Sequence, residues 1–283
     1  MCPHSADMLA RVNGPRIVLV STKDSANVGA AARAMLNFGL RDLWLVAPRC
    51  RLDHRAYALA SHAAEVLDAA TVVPTLADAI ADRTTVLGTS ARVRAADNFL
   101  ELTPRTAAQA LGPHDAVLFG PEDHGLSNDD LTRCQGQIVI PTQDFSSLNL
   151  AQAVLVVAYE VGMRRAESEG AEGATSAATA EEQEAVTAGP LAGLPAGHEP
   201  AKREQLEGFY AQLARTLLHI GYTDESRLPG ILRLYRGLID RARPSAHDLA
   251  ALRGMLRQTL WAADQPPENV PGNRGNSAEP QGE

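Results

Sequence analysis

The chain predicts an α/β fold, a mostly parallel sheet covered by helices on both faces, followed by a small all-α C-terminal domain. Three observations carry this. Short apolar runs alternate with helical stretches across residues 16–160. Those runs are continuously apolar rather than alternating, as strands buried on both faces are. From Arg203 to Trp261 only helical periodicity remains.

Arg16-Ile17-Val18-Leu19-Val20-Ser21 opens the series as a strand. Val28, Ala31, Ala32, Met35 and Phe38 then recur at helical spacing, and Gly39 is placed to end that helix. Leu43–Val46 is the next strand, and a helix is expected around 56–69. Thr71-Val72-Val73, a short helix around 75–82, and Thr85-Val86-Leu87-Gly88 follow. A helix near 104–111 leads to Ala116–Phe119, and one near 127–134 leads to Gln137–Ile140. The last helix of this part is expected from Ser147 to Arg165.

Four segments are expected: an α/β domain over 14–165, a flexible acidic linker over 166–200, a helical extension over 201–262, and a disordered tail over 263–283. Residues 166–200 are rich in Ala, Glu, Gly, Ser and Thr, with seven acids and no Lys or Arg. In the extension, three apolar stripes predict three helices: Leu206/Phe209/Leu213/Leu217, Ile231/Leu234/Tyr235/Leu238, and Leu249/Leu252/Leu256/Leu260. Pro229 and Pro244 mark the starts of the second and third.

The formal net charge of −8 argues at first against a nucleic-acid partner. Its distribution reverses that impression, because residues 201–262 hold ten basic side chains against six acidic ones. Three cysteines far apart, Cys2, Cys50 and Cys134, suggest neither a zinc site nor a disulfide framework and suit a reducing cytosol. Residues 1–14 do not read as a signal peptide, and no apolar run reaches the roughly 18 residues of a membrane span.

Chemistry concentrates at the carboxyl ends of the strands, where open α/β sheets bind ligands. After the first strand, Asn27-Val28-Gly29-Ala30-Ala31-Ala32-Arg33 offers a helix cap, small residues that admit a close approach, and an arginine two turns in. A small-residue helix packed on the sheet, with Arg33 solvated, explains it equally well. Gly88-Thr89-Ser90-Ala91-Arg92 could lie against an adenine or ribose, or be only a tight turn. Glu122 follows Phe119-Gly120-Pro121, and Ser127 with an acidic first turn is the better cap for the next helix, which leaves Glu122 without a structural task. Ser146-Ser147-Leu148-Asn149 opens the last helix with free N–H groups and hydroxyls suited to an anion, though one serine would suffice as a cap. Asn149 is expected just inside that helix.

In this order and spacing the segments resemble the SpoU/TrmH branch of the SPOUT RNA 2′-O-ribose methyltransferases. Asn27 with Arg33 is similar to the family's first motif. Phe119-Gly120-Pro121-Glu122 with Gly125-Leu126 is similar to its second, and Ile140-Pro141 with Ser147-Leu148-Asn149-Leu150-Ala151 to its third. Phe209-Tyr210, Arg241-Ala242-Arg243-Pro244 and Leu252-Arg253-Gly254-Met255-Leu256 resemble the helical extension of the TrmJ subgroup.

The resemblance implies a sheet whose C-terminal part is tied in a deep trefoil knot, and a homodimer with its sites at the interface. It implies S-adenosyl-L-methionine as methyl donor, S-adenosyl-L-homocysteine as product, and tRNA as substrate. The methylated nucleotide would be a cytidine or uridine at position 32 of the anticodon loop. Carried over by position, Thr89, Ser90, Ala91, Gly120, Ile140, Ser146, Ser147 and Leu148 would line the cofactor site. Arg33, Glu122, Ser147 and Asn149 would be catalytic, and no metal is required. Asn27, Arg33, Arg233, Arg236, Arg241 and Arg243 would contact RNA, the last four as phosphate-gripping residues of the extension. Pro121 and Asp123 depart from the basic side chains that often flank the second-motif acid in this subgroup. Two alternatives stay open: ribosomal RNA as substrate, and a non-catalytic RNA-binding protein that keeps the fold. A nucleotide-binding oxidoreductase is disfavoured, since Ser21 to Gly29 holds a single glycine and no GxGxxG.

Overall fold

The computed structural model describes residues 14–90, 100–143, 147–174 and 199–265, with backbone only over 169–174. Among the described residues, seven strands form one sheet: β1 (Arg16–Val20), β2 (Leu43–Val46), β3 (Thr71–Val73), β4 (Val86–Ser90), β5 (Leu100–Leu102), β6 (Ala116–Phe119) and β7 (Gly136–Val139). Their order is β3-β2-β1-β6-β4-β7-β5, and every pairing is parallel. The chain therefore leaves β1 in one direction and returns to fill the other side, which puts the switch point beside β1 and β6.

The continuous apolar runs have the expected cause. Ile17 and Leu19 point into one core with Val28, Met35, Val154 and Val157, while Val18 and Val20 point into the other with Leu76, Ile80, Leu118 and Leu131. Ile17, Val18 and Leu19 are all fully buried, each contributing about 1.5–3 kcal/mol of transfer free energy.

The helices are α1 (Ser25–Asn37), α2 (His54–Ala60), α3 (Ala64–Asp68), α4 (Leu76–Ile80), α5 (Pro104–Ala110), α6 (Asn128–Leu131) and α7 (Leu150–Ala174). The single helix expected over 56–69 is two, broken by a 3-10 turn at Ser61–Ala63 with Ser61 at φ 54°. The helix expected to end at Arg165 runs on to Ala174. β5 escaped the sequence reading because three residues on a sheet edge carry too little pattern.

α1 begins at Asp24, whose carboxylate accepts from the Ala26 N–H at 3.0 Å, so Asn27 is not its cap. Gly39 ends it at φ 75°. The small-residue stretch serves helix packing: a Cβ on Gly29 would stand 2.0 Å from the Ala56 carbonyl oxygen, so α2 is what approaches there. At the amino ends of the strands the buried Arg16 pairs with Asp42 at 2.9 Å and Asp82 at 2.8 Å, and lies over the Trp44 ring. Burial pushes the Asp82 carboxyl up, but bonds from Arg83 and Arg16 outweigh it and hold the pKa at about 2.

The chain divides into two compact units, the second holding α8 (Arg203–His219), α9 (Leu228–Ala242) and α10 (Ala246–Ala263). Its core is Leu206, Phe209, Leu213, Leu217, Leu249 and Leu256, with Ile231, Leu232, Tyr235 and Ile239 packed against it. The middle stripe is thereby corrected, because Leu234 and Leu238 are 53% and 47% exposed. The linker and tail expected at 166–200 and 263–283 lie largely outside the described residues. No helix of the described residues is long and apolar enough to cross a membrane.

Candidate functional site

The registers Leu19–Phe119, Gly88–Leu118 and Ser90–Val139 bring the carboxyl ends of β1, β6, β4 and β7 level. A cavity of about 370 Å³ opens there, lined by Thr89 and Ser90, the loop from Phe119 to Leu126, Ile140, Ser147 and Leu148, and the first turns of α7. This size falls within the range of small-molecule sites. Phe119, Leu126, Ile140 and Leu148 supply apolar wall, while Glu122, Asp123 and Ser147 supply polar groups.

The loop after β6 is forced into a narrow turn. A Cβ on Gly120 would lie 2.2 Å from the Gly125 carbonyl carbon and the Leu126 nitrogen. Gly125, at φ 70°, donates its N–H to the Pro121 oxygen at 2.9 Å. Leu126 is buried beyond it, and Ser127 closes the segment as the cap of α6 through a capping box with Asp130, as its sequence suggested. The Thr89 hydroxyl donates to the Leu118 carbonyl at 2.9 Å, so Thr89 stiffens the wall rather than presenting a free donor.

Glu122 has the structural task that its sequence did not reveal. It accepts from the Lys23 N–H at 3.1 Å, the Asp24 N–H at 3.4 Å and the Asn27 side-chain amide at 2.9 Å. Because Asn27 donates to a carboxylate, its oxygen is left to accept, and it does so from the Asn149 amide at 3.0 Å. Asn149 in turn accepts from the Ala151 N–H at 2.9 Å, so it stands just before α7 as a cap rather than inside the helix. One relay, Glu122–Asn27–Asn149, thus ties the loop after β6 to the starts of α1 and α7. Partial burial pushes the Glu122 carboxyl up, but the Asn27 amide and the backbone N–H groups outweigh it and hold it below the usual glutamate value.

The structure unites Thr89, Ser90, Gly120, Glu122, Ile140, Ser147 and Leu148 at one cavity, with Asn27 and Asn149 beside it. Ala91 and Ser146 lie outside the described residues. Arg33 does not line the cavity. It is exposed, about 9 Å along α1 from Asn27 and about 120° around it. Sequence reasoning missed the Asp24 cap, Lys23, whose ammonium pairs with Asp123, and His124, whose Nδ1 lies 2.7 Å from Asp123. Their adjacency to the motifs was the only available signal. Burial and the charges of Glu122, Asp24 and Asp53 push the Cys50 thiol up, which leaves it a poor nucleophile.

In the second unit the arginines divide. Arg236 forks onto Glu207 at 2.7 and 2.6 Å and stacks over Tyr210, so it is a structural group and not the open phosphate contact expected of it. Tyr210 donates to the buried Asp240 at 2.8 Å. Arg233 and Arg241 are exposed, and Arg243 caps α9 in the left-handed region at φ 46°.

Residues 14–159 match the model of the SpoU rRNA methylase family, and residues 204–268 match that of the tRNA methyltransferase TrmJ C-terminal domain. The chain is 41% identical to tRNA (cytidine/uridine-2′-O-)-methyltransferase TrmJ of Citrobacter koseri over 248 residues, covering 85% of this chain and 94% of that one. Against the crystal structure of TrmJ from Z. mobilis ZM4 the TM-score is 0.69 at 36% identity, covering 86% and 97%. Against a probable methylase family protein from Haemophilus influenzae Rd KW20 it is 0.52 at 32% identity, covering 88% and 97%. With a parallel sheet, two motif segments lining one cavity, a third bonded to both through Asn27, and these relatives, the chain belongs to the SpoU methylase family and has its SPOUT fold.

Proposed function

We propose that the protein is an S-adenosylmethionine-dependent tRNA 2′-O-ribose methyltransferase acting on a cytidine or uridine at position 32 of the anticodon loop. The observation that carries this reading is the Glu122–Asn27–Asn149 relay, which joins all three motif segments at the mouth of a cofactor-sized cavity. The names of the relatives, and the match of residues 204–268 to the TrmJ C-terminal domain, favour tRNA over ribosomal RNA.

The cavity fits the methyl donor. Its apolar wall suits an adenine, and the Glu122 carboxylate suits the positive charge of a sulfonium. When bound, that group supplies an electrophilic methyl. The chain's own task is to align a weak nucleophile, the ribose 2′-OH, and stabilise its developing charge. Ser147 and Leu148 position the donor, Asn149 orients the ribose, and Glu122 holds the N-terminal turn of α1 and, through Asn27, the start of α7.

Arg33 acts by electrostatic activation, since a guanidinium does not deprotonate. Its distance from the cavity of its own chain suits delivery to the cavity of a second copy. Leu155, Tyr159 and Met163, exposed at four-residue spacing on α7, supply an apolar stripe for a homodimer. The trefoil knot would form where the chain passes from β7 into α7, and the isolated cysteines suit a cytoplasmic enzyme. Methyl transfer from labelled S-adenosylmethionine to purified tRNA and ribosomal RNA tests the reading: transfer to tRNA is expected, and transfer to ribosomal RNA alone, or to neither, overturns it.

A further inference from the structure

The loops around the cavity mouth carry charges of both signs, with two acids, Glu122 and Asp123, on the loop that lines the cavity itself. Asp24, Asp53, Glu122 and Asp123 lie on them, and the basic residues on or beside them, among the described residues, are Lys23, Arg49, Arg51, His54, Arg55 and His124. Arg55 stands 3.5 Å from Asp24, and His124 stands 2.7 Å from Asp123. A ribose entering this mouth brings a phosphate on each side, and carboxylates repel it unless a cation meets the charge.

Lys23 is built into that position twice. Its backbone N–H donates to Glu122 at 3.1 Å, which fixes the residue at the edge of the site. Its ammonium is paired with Asp123, the residue after Glu122, on the loop that lines the cavity. The two side chains are 42% and 48% exposed, and ion pairs as open as this are held weakly. An ammonium also exchanges partners without any demand on planarity. Asp123 is not stranded by losing it, because its other oxygen already faces His124.

We propose that Lys23 is a substrate-phosphate ligand and that Asp123 is its resident counter-ion, displaced when RNA docks. The proposal rests on the reading of the chain as an RNA methyltransferase. Glu122 is undisturbed by the exchange, since its bond to residue 23 is through the backbone.

Full-length Lys23→Gln, Lys23→Arg and Asp123→Asn proteins and the Lys23→Gln/Asp123→Asn pair are compared with the unaltered chain. The readouts are tRNA affinity across a salt series, thermal stability, and KM and kcat for methyl transfer. Lys23→Gln is expected to weaken tRNA binding about three- to tenfold and to lower the slope of log affinity against log salt by about 1. KM for tRNA should rise by more than kcat falls, and Lys23→Arg should retain most of the affinity. Asp123→Asn is expected to tighten binding about two- to fivefold, and that gain should vanish in the double variant. An unchanged affinity and slope in Lys23→Gln overturns the proposal. So does Asp123→Asn weakening binding while lowering the melting temperature, the result expected of a purely structural latch. If the unaltered chain binds tRNA and methylates it but these variants behave alike, only the phosphate role of Lys23 fails; if it does not bind tRNA, both readings fail.

Discussion

Gly120→Ala adds one methyl group at the narrowest point of the candidate site. That carbon would sit 2.2 Å from the Gly125 carbonyl carbon, 2.2 Å from the Leu126 nitrogen and 2.7 Å from the Gly125 oxygen. Ordinary carbon contacts lie near about 3.5–4 Å, so the overlap exceeds about 1 Å and falls on backbone, which cannot rotate aside. Relief requires the turn from Pro121 to Gly125 to widen, against the 2.9 Å bond from Gly125 to Pro121 and the burial of Leu126. Overpacking of this kind costs about 1–3 kcal/mol, which is about 2–12 °C in melting temperature for a domain of this size. The turn is also cavity wall, so binding of S-adenosylhomocysteine, measured by titration calorimetry, should weaken by at least about tenfold. Gly125→Ala is the matched control. It meets no atom within 4 Å but requires φ 70°, at a cost of about 1–2 kcal/mol. It should lower the melting temperature with a smaller loss of binding. Wild-type affinity and melting temperature in Gly120→Ala would refute the reasoning.

Asn27→Asp replaces the amide that donates to Glu122 with a second carboxylate 2.9 Å away. Activity should fall more than tenfold and recover partly as pH is lowered, and a pH-independent loss in rate assays would count against the relay. Arg33→Ala should reduce methyl transfer about 10²–10³-fold while leaving S-adenosylhomocysteine affinity unchanged; retained turnover contradicts the electrostatic role. The folded pKa of Asp82, about 2, lies below its ordinary 3.8, so its stabilising effect is present above pH 3.8 and lost as pH falls toward 2. Acid unfolding of Asp82→Asn, followed by circular dichroism, should therefore be flatter between pH 4 and 2 than that of the unaltered chain.

Six of the seven strands were legible, most of them because the sheet is covered on both faces there and turns them into unbroken apolar runs, while the short edge strand β5 was not. The Ser127 cap and the Gly39 stop were legible because both act within a few residues of themselves. Glu122 was not, since the groups that it holds lie 95 to 99 residues away in sequence. Asn27 was misplaced for a related reason: it stands near a helix start, and only the fold shows that Asp24 does the capping while Asn27 faces two other motifs. The stripe of α9 misled because spacing marks an apolar face but not which edge of it is covered, and Leu234 and Leu238 fall on the open edge. Arg236 looked like a free cation until Glu207 and Tyr210, from another helix, were placed against it.

The most direct test is to incubate the full-length chain with S-adenosylmethionine and unmodified tRNA and to map 2′-O-methyl groups by mass spectrometry of nuclease fragments. A methylated cytidine or uridine at position 32 is expected with the unaltered chain, and its loss with Arg33→Ala. Methyl groups on a base rather than a ribose, or an unmethylated tRNA despite bound S-adenosylmethionine, would contradict it.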